Sequence, residues 1–114
     1  KRDFGDKFLV FGTKNFGVID FKTFLATPVP QRYLKRNKIS ISSLAINRQL
    51  AQAVGPNHFV DLSELMCGRA GDCLVFRPDG RLLSYDGGHL TLEGAQHLAV
   101  RLPDAPAVRQ VLVP

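Results

Sequence analysis

The sequence predicts an α/β fold with a parallel sheet, and three observations support that class. Two short apolar runs, "KFLVFG" at residues 7–12 and "HFVDL" at 58–62, are typical of buried strands. A stretch with helical periodicity lies between them, and the order strand, helix, strand is the connection that parallel strands need. The chain has 114 residues, 45% of them hydrophobic, which is the size and composition of one domain.

The segment after the first strand is a loop, "TKNFG" at 13–17. Residues 18–26 are compatible with a short helix, which Pro28 and Pro30 end because proline cannot continue a regular element. The basic run "RYLKRNKI" at 32–39 is compatible with either a helix or a linker.

The clearest helix begins near Ser42 and ends before Gly55 and Pro56. A serine can cap its start, and glycine followed by proline is typical of a helix end. Four apolar residues recur at helical spacing and define the face that we expect to be buried: Ile46, Leu50, Ala53 and Val54.

The last third of the chain predicts a hairpin, a helix and a final strand. The turn signal Pro78-Asp79-Gly80 separates two apolar runs and indicates the hairpin. Thr91 is a plausible helix cap, and Pro103 ends that helix. The apolar string "VRQVLV" at 108–113 is compatible with a last strand.

The net charge is +5, with an isoelectric point of about 9.6. The positive residues concentrate in the run at 32–38 and near the start of the chain, at Lys1, Arg2, Lys7 and Lys14. Such a charge suits an anionic partner, although a solvated basic helix face or linker produces the same pattern.

The start of the sequence suggests a piece of a longer protein. No apolar run approaches the roughly 20 residues of a membrane-spanning helix, and no segment resembles a signal peptide. The first residue is Lys1 instead of methionine, so we expect a processed product or a part of a larger chain.

Two cysteines, Cys67 and Cys73, stand in the string "CGRAGDC". A zinc site would need further ligands, and neither His58 nor His89 completes a familiar pattern. Two free thiols and a small-loop disulfide remain, and the glycines of the string let so short a loop fold back. We favour the disulfide, which implies an oxidising compartment.

The string "YDGGHLTLEG" at 85–94 places Asp86 three residues before His89. A carboxylate that accepts the Nδ1 proton of an imidazole leaves Nε2 free to act as a general base. The same string is also typical of an ordinary turn, in which Asp86 hydrogen-bonds its own backbone. Spacing alone leaves both interpretations open.

In context, these residues resemble the C-terminal part of the SGNH/GDSL hydrolase superfamily. The resemblance is strongest to SGNH domains fused to membrane-embedded O-acyltransferases of the acyltransferase-three family, which act on bacterial surface polysaccharides. It covers most of residues 8–102, and its specificity lies mainly in 60–99. The matching residues are Val60, Asp61, Cys67, Cys73, Asp86, His89, Leu90, Thr91, Gly94 and Ala95.

The resemblance implies the C-terminal portion of a three-layer α/β/α sandwich of flavodoxin-like type, with a parallel sheet. It assigns Asp86 the orienting role and His89 the activation of a serine nucleophile, and it implies no metal or organic cofactor. The Gly-Asp-Ser motif that carries this serine in the superfamily is not found in the sequence. We therefore expect residues 1–114 to be one partial domain whose nucleophile segment lies upstream. The serines of this chain are all interpreted as helix caps or polar surface: Ser40, Ser42, Ser43, Ser63 and Ser84.

Superfamily members also offer an asparagine to the oxyanion through a Gly-x-Asn string. Here two residues separate Gly12 from Asn15, which departs from that pattern. The amide of Asn15 can still donate to an oxyanion, and the alternative is that Asn15 is a loop residue with positive φ. His58 and His97 are interpreted as structural.

The expected function is serine-dependent O-acetyl transfer to cell-surface polysaccharide, or ester hydrolysis on it, in the periplasm. The expected partners are an acetylated or acetyl-accepting glycan and the membrane-embedded acyltransferase domain of the same parent chain, anchored in the bacterial inner membrane. Nucleic acid is not among the predicted partners. The alternative is a non-catalytic glycan-binding or partner-docking module.

Overall fold

The computed structural model describes residues 8–19, 21–68 and 70–112, and these form a mixed α/β structure. No helix within these ranges is long and apolar enough to cross a membrane. The elements, in chain order, are β1 (Val10–Phe11), α1 (Phe21–Ala26), a 3₁₀ helix (Val29–Leu34), β2 (Arg36–Lys38), α2 (Ile41–Val54), β3 (Phe59–Val60), α3 (Leu62–Cys67), β4 (Asp72–Leu74), α4 (Leu92–Arg101), a 3₁₀ turn (Leu102–Asp104) and α5 (Pro106–Leu112).

Strands β1 and β3 pair in parallel, and α2 connects them. Val10 N donates to His58 O at 2.7 Å, and Gly12 N donates to Val60 O at 2.9 Å. The predicted α/β class with its parallel strand pair is therefore confirmed. Lys7, which begins the predicted first strand, lies outside the described residues, as do the basic residues Lys1 and Arg2.

A second, antiparallel sheet pairs β2 with β4, so the basic run at 32–39 ends a 3₁₀ helix and then continues as a strand. After β4 the chain reverses twice, through antiparallel bridges between Phe76 and Leu82 and between Ser84 and Leu90. We call residues 72–90 the ribbon, its first reversal (77–81) the Asp79 turn and its second (84–90) the Asp86 turn. The predicted hairpin around Asp79 is confirmed, and the second reversal extends it.

Helix α2 begins at Ile41, and its cap is Ser40, whose Oγ accepts from Ser43 N at 3.2 Å. Its predicted apolar face is wrong in part, because the buried residues are Ser43 and Asn47, whereas Ile46 is 46% exposed. The helix therefore turns a polar side chain toward the loop that follows β1.

The main core lies between α3, α4 and the strands, and it includes the two cysteines. A bond between Sγ atoms joins Cys67 at the end of α3 to Cys73 in β4, which confirms the favoured disulfide. Gly68 and Gly71 adopt positive φ values of 75° and 73° between them. Glycine is the residue that adopts such angles without steric cost, so the short loop can close.

Helix α4 begins where the sequence predicts, with Thr91 as the cap whose Oγ1 accepts from Gly94 N at 2.9 Å. Thr91 Oγ1 also donates to Leu82 O at 2.6 Å, which fixes α4 to the ribbon. Gly94 lies so close to Leu83 O that a Cβ at this position would overlap the carbonyl.

The predicted final strand at 108–113 is wrong, since residues 106–112 form helix α5 and Val113 lies outside the described residues. Pro106 occupies the first position of the helix, where its fixed φ is favourable and its missing N–H costs nothing. Ala107 is buried against the main core.

Candidate active site

The Asp86 turn uses both oxygens of its aspartate. Oδ1 accepts from the backbone N–H groups of Gly88 at 2.9 Å and His89 at 2.8 Å. Oδ2 lies 2.8 Å from Nδ1 of the His89 ring. One carboxylate thus caps the turn and also contacts the imidazole at Nδ1, so the capped turn and the orienting contact are present together.

Hydrogen bonds hold the pKa of Asp86 well below its usual range. The largest cause is the Gly88 backbone N–H, followed by the His89 side chain and then the His89 backbone N–H. The carboxylate is therefore ionised at neutral pH. Next to that charge, the imidazole tautomer with its proton on Nδ1 is favoured, which leaves the Nε2 lone pair available.

The outer nitrogen of His89 points away from the turn. The side chains of His89 and Asp86 are 80% and 56% exposed. Among the hydrogen bonds of the described residues, none involves Nε2 of His89. An oriented imidazole with a free, accessible lone pair is the arrangement of a general base before its reactant arrives.

The loop that follows β1, which we call the Asn15 loop (residues 12–17), packs directly against the Asp86 turn. Phe16 N donates to Gly87 O at 2.7 Å. Gly87 has a φ of 92°, and a Cβ there would overlap Gly17 O. The two loops therefore meet backbone to backbone, and residues next to Asn15 contact the turn that carries His89.

Asn15 is half-buried, and its Oδ1 accepts from Gly17 N at 3.0 Å. No non-glycine residue in the described ranges has a positive φ, so the alternative that Asn15 is a positive-φ loop residue is wrong. Gly17, with a φ of 83°, takes that conformation instead. Because Oδ1 is engaged, the side chain has a fixed direction and its Nδ2 remains as a donor.

The backbone N–H of Gly12 is already used in the pairing of β1 with β3. What Gly12 contributes is space, because it has no side chain. A Cβ at this position would lie 2.7 Å from Asn47 Oδ1. That oxygen accepts from both Thr13 N at 2.8 Å and Thr13 Oγ1 at 3.0 Å. Ser63 Oγ donates to Thr13 O at 2.7 Å, so two buried polar side chains fix the start of the Asn15 loop.

All five serines lie in the described part of the chain, and each has another role. Ser40, Ser42 and Ser43 contact one another at the start of α2. Ser63 and Ser84 are buried and donate to the backbone carbonyls of Thr13 and His89. None of them hydrogen-bonds Nε2 of His89, so within the described residues no serine is paired with this imidazole.

The structure leaves the other two histidines away from the pair. The ring of His58 is buried and stacks on Phe8, with ring centroids 4.1 Å apart. His97 is half-buried in α4, and its Nε2 has no hydrogen-bond partner. Burial, and then the charges of Arg101 and Arg77, lower the pKa of His97. Within the described ranges, no three His, Cys, Asp or Glu side chains are grouped in a way that could hold a metal ion.

The sequence indicated the Asp86–His89 pair and the Asn15 amide as candidates, but it did not indicate the residues that support them. Asn47, Ser63 and Ser84 are polar residues whose importance comes from burial. The only sequence signal was the position of Ser84, two residues before Asp86.

Comparison with known protein families identifies the family of the chain. The model of the family described as "SGNH domain (fused to AT3 domains)" matches residues 5–103, and these include Asn15, Asp86 and His89. No curated protein and no solved structure gives a significant match. The chain therefore belongs to the family of SGNH domains fused to AT3 domains, and is a hydrolase-like or acyltransferase-like domain.

Proposed function

We propose that Asp86 and His89 are the acid–base part of a serine acyl-transfer site that moves acetyl groups onto cell-surface polysaccharide, or hydrolyses esters on it. The observation that supports this best is the 2.8 Å contact between Asp86 Oδ2 and His89 Nδ1, combined with a free Nε2. The nucleophile is a serine of the parent protein outside this chain, because all five serines here are otherwise engaged.

The chemistry follows the usual division of labour in serine acyl transfer. His89 Nε2 accepts the serine proton while the serine Oγ attacks the acyl carbonyl, and the charge of Asp86 stabilises the resulting imidazolium. Nδ2 of Asn15 donates to the oxyanion of the tetrahedral intermediate, an interaction worth about 3 kcal/mol when well placed. The imidazolium then returns the proton to the leaving group as the acyl-enzyme forms.

The second half of the reaction repeats these roles. A sugar hydroxyl, or water in the hydrolytic case, gives its proton to Nε2 and attacks the acyl-enzyme. The acetyl group passes to the acceptor, and the serine recovers its proton from His89. His89 is 80% exposed, and an open base of this kind is accessible to a hydroxyl on a long polymer.

Two features support a periplasmic setting for this proposal. The Cys67–Cys73 disulfide suits an oxidising compartment. The family's fusion to AT3 domains supports a parent protein that also contains a membrane acyltransferase, which we propose is anchored in the bacterial inner membrane. That domain would supply the acyl group, and the glycan would be acceptor or substrate on the periplasmic side.

The test is labelling of the whole parent protein with a serine-reactive fluorophosphonate, read by intact mass and peptide mapping. We expect one label on a serine outside this chain, and loss of that label in His89→Ala. His97→Gln is the matched histidine control and should label at the wild-type rate, because His97 lies away from the pair. A folded wild-type parent that takes no label would contradict the catalytic proposal and favour the glycan-binding or docking module.

A second measurement tests the substrate class. Cells that produce the parent with His89→Ala should show a changed acetyl content of their surface polysaccharide relative to the wild type. Lower content indicates transfer, higher content indicates hydrolysis, and equal content in the presence of a labelled serine would contradict the polysaccharide assignment.

A further inference from the structure

Ser84 stands at the base of the Asp86 turn and is completely buried, with 0% of its surface exposed. The sequence predicts a helix cap or a polar surface residue at this position, and that prediction is wrong. Its Oγ donates to His89 O at 2.6 Å and accepts from Gly87 N at 2.9 Å. One hydroxyl therefore links two backbone groups of the turn: the N–H of Gly87, which follows Asp86, and the carbonyl of His89.

Removal of the Ser84 hydroxyl would affect its two backbone partners differently. His89 O also accepts from Tyr85 N at 3.1 Å, so this carbonyl keeps a partner without Ser84. Gly87 N is in a buried hydrogen bond whose acceptor is the Ser84 hydroxyl. Removal of the hydroxyl leaves a buried N–H unsatisfied, which is costly, and the backbone at Gly87 is expected to move toward a new partner.

Movement at Gly87 would disturb the whole candidate site. Gly87 O accepts from Phe16 N of the Asn15 loop at 2.7 Å. On its other side, Gly87 follows the aspartate whose Oδ2 orients His89. A shift of this residue therefore changes both the angle of the imidazole and its position relative to Asn15.

We propose that Ser84 is a positioning residue that holds Asp86 and His89 in their reactive orientation and keeps their turn against the Asn15 loop. This inference rests on the proposed function of the pair. Ser84 does not act as the nucleophile, because its buried hydroxyl already donates to a carbonyl of the turn.

A double-mutant cycle on the whole parent protein tests this role. The measured quantity is the rate of fluorophosphonate labelling in the wild type, Ser84→Ala, His89→Ala and the double variant. Misplacement of a catalytic group by about 1 Å costs roughly 100-fold, so we expect Ser84→Ala to lower the rate by about 10- to 100-fold. In the His89→Ala background, where residual labelling is followed at high probe concentration, the same substitution should change the rate by less than about twofold.

Ser42→Ala is the matched control, since Ser42 is an exposed serine in α2, and it should label like the wild type. A wild-type rate in Ser84→Ala, an equal loss in both backgrounds, or a label on Ser84 itself would overturn the inference. If the wild-type parent takes no label at all, it is the proposed function that fails.

Amide hydrogen exchange tests the positioning role of Ser84 separately from the proposed function, because it needs no activity. Across residues 84–90 of the parent, Ser84→Ala should exchange faster than the wild type, whereas Ser42→Ala should not. Unchanged exchange in Ser84→Ala would overturn the positioning role even if labelling fell.

Discussion

The ribbon contains two Asp-Gly turns that share one local design and differ in their surroundings. In the Asp79 turn, Oδ1 of the aspartate accepts from Arg81 N at 3.1 Å, and in the Asp86 turn the corresponding oxygen accepts from Gly88 N at 2.9 Å. Each aspartate is followed by a glycine of positive φ, 86° at Gly80 and 92° at Gly87. Locally, both are the capped turns that an Asp-Gly string predicts.

The difference lies in what the second carboxylate oxygen meets. Oδ2 of Asp79 faces the guanidinium groups of Arg77 at 3.5 Å and Arg81 at 3.9 Å. Oδ2 of Asp86 faces an imidazole, which an anion orients and which can then accept a proton at its far nitrogen. A common turn therefore becomes a candidate catalytic element through one neighbouring side chain.

The two turns also differ in how closely other parts of the chain approach them. A Cβ at Gly80 would have its nearest neighbours 3.7 Å away, in the side chains of Arg32 and Val29. A Cβ at Gly87 would overlap the backbone carbonyl of Gly17. The Asp79 turn is supported by side chains, whereas the Asp86 turn is packed against the backbone of the Asn15 loop.

The largest effect is expected from alanine at the two glycines. Gly80→Ala imposes only the positive φ, which costs about 1–2 kcal/mol. Gly87→Ala imposes the same cost plus overpacking against Gly17, for a total of about 2–5 kcal/mol. Urea unfolding measures the stability, and fluorophosphonate labelling should be lost only in Gly87→Ala.

Gly88→Ala is the control within the same turn, because Gly88 does not have a positive φ and a Cβ there would make ordinary contacts at 3.7 Å with Asp86 Oδ1 and 3.8 Å with Lys14 O. It should keep most of the labelling rate. Equal stability losses in Gly80→Ala and Gly87→Ala would remove the packing difference between the turns.

The titration of Asp86 is expected to change the stability less than the glycine substitutions do. Its pKa lies below the ordinary value of 3.8, so the carboxylate stabilises the folded state at neutral pH, and that contribution is lost as the pH falls from 3.8 through the lower folded value. In His89→Ala the pKa should rise, because the ring no longer donates, yet stay below 3.8, because the Gly88 N–H is the largest cause and remains. Carboxyl ¹³C NMR measures both variants, and an unchanged Asp86 pKa in His89→Ala would mean that the ring is not oriented by the carboxylate.

The smallest effect concerns His97. Its charged neighbours are two arginines, whereas His89 lies beside a carboxylate. Burial first, and then the positive charges of Arg101 and Arg77, lower its pKa from 6.5. The unfolded chain therefore takes up this proton more readily, and the stability that neutral His97 provides above pH 6.5 is lost as the pH falls through 6.5 toward the lower folded value. Unfolding at pH 8 and pH 5 should show a smaller acid loss in His97→Gln than in the wild type.

Arg77, in the Asp79 turn, is one of the positive charges that lower the pKa of His97. Arg77→Gln removes this charge and should therefore raise the pKa of His97 slightly. NMR titration of the ring gives the direction. A lower pKa in that variant would contradict the repulsion between the first turn and this histidine.

The elements that sequence predicted correctly are those with local chemical causes. Thr91 caps α4 because a hydroxyl satisfies free N–H groups of the first turn, and this depends on no distant contact. The Cys67–Cys73 bridge closes because glycines lie between the two cysteines. The Asp86–His89 pair forms within four consecutive residues, so the sequence alone identifies it as a candidate.

The elements that sequence missed are a short ambiguous segment and polar residues that distant contacts bury. Residues 108–113 fit a strand or a helix over so short a length, and Pro106 at the helix start decides between them. Asn47 and Ser84 are polar, and only the folded structure shows that they are buried beneath the two loops of the site. The apolar face predicted for α2 was wrong in part because the buried Asn47 accepts hydrogen bonds from the distant Thr13.

The most direct test of the central claim compares the two turns with matched substitutions. Asp86→Asn and Asp79→Asn remove one charge from each turn, and the rate of fluorophosphonate labelling of the parent protein is measured for both. We predict a loss of about 100- to 10,000-fold for Asp86→Asn, because the orienting carboxylate of a serine site contributes on this order, and a change below about twofold for Asp79→Asn. Equal labelling rates in the two variants would show that the Asp86 turn is an ordinary turn, and would contradict the account.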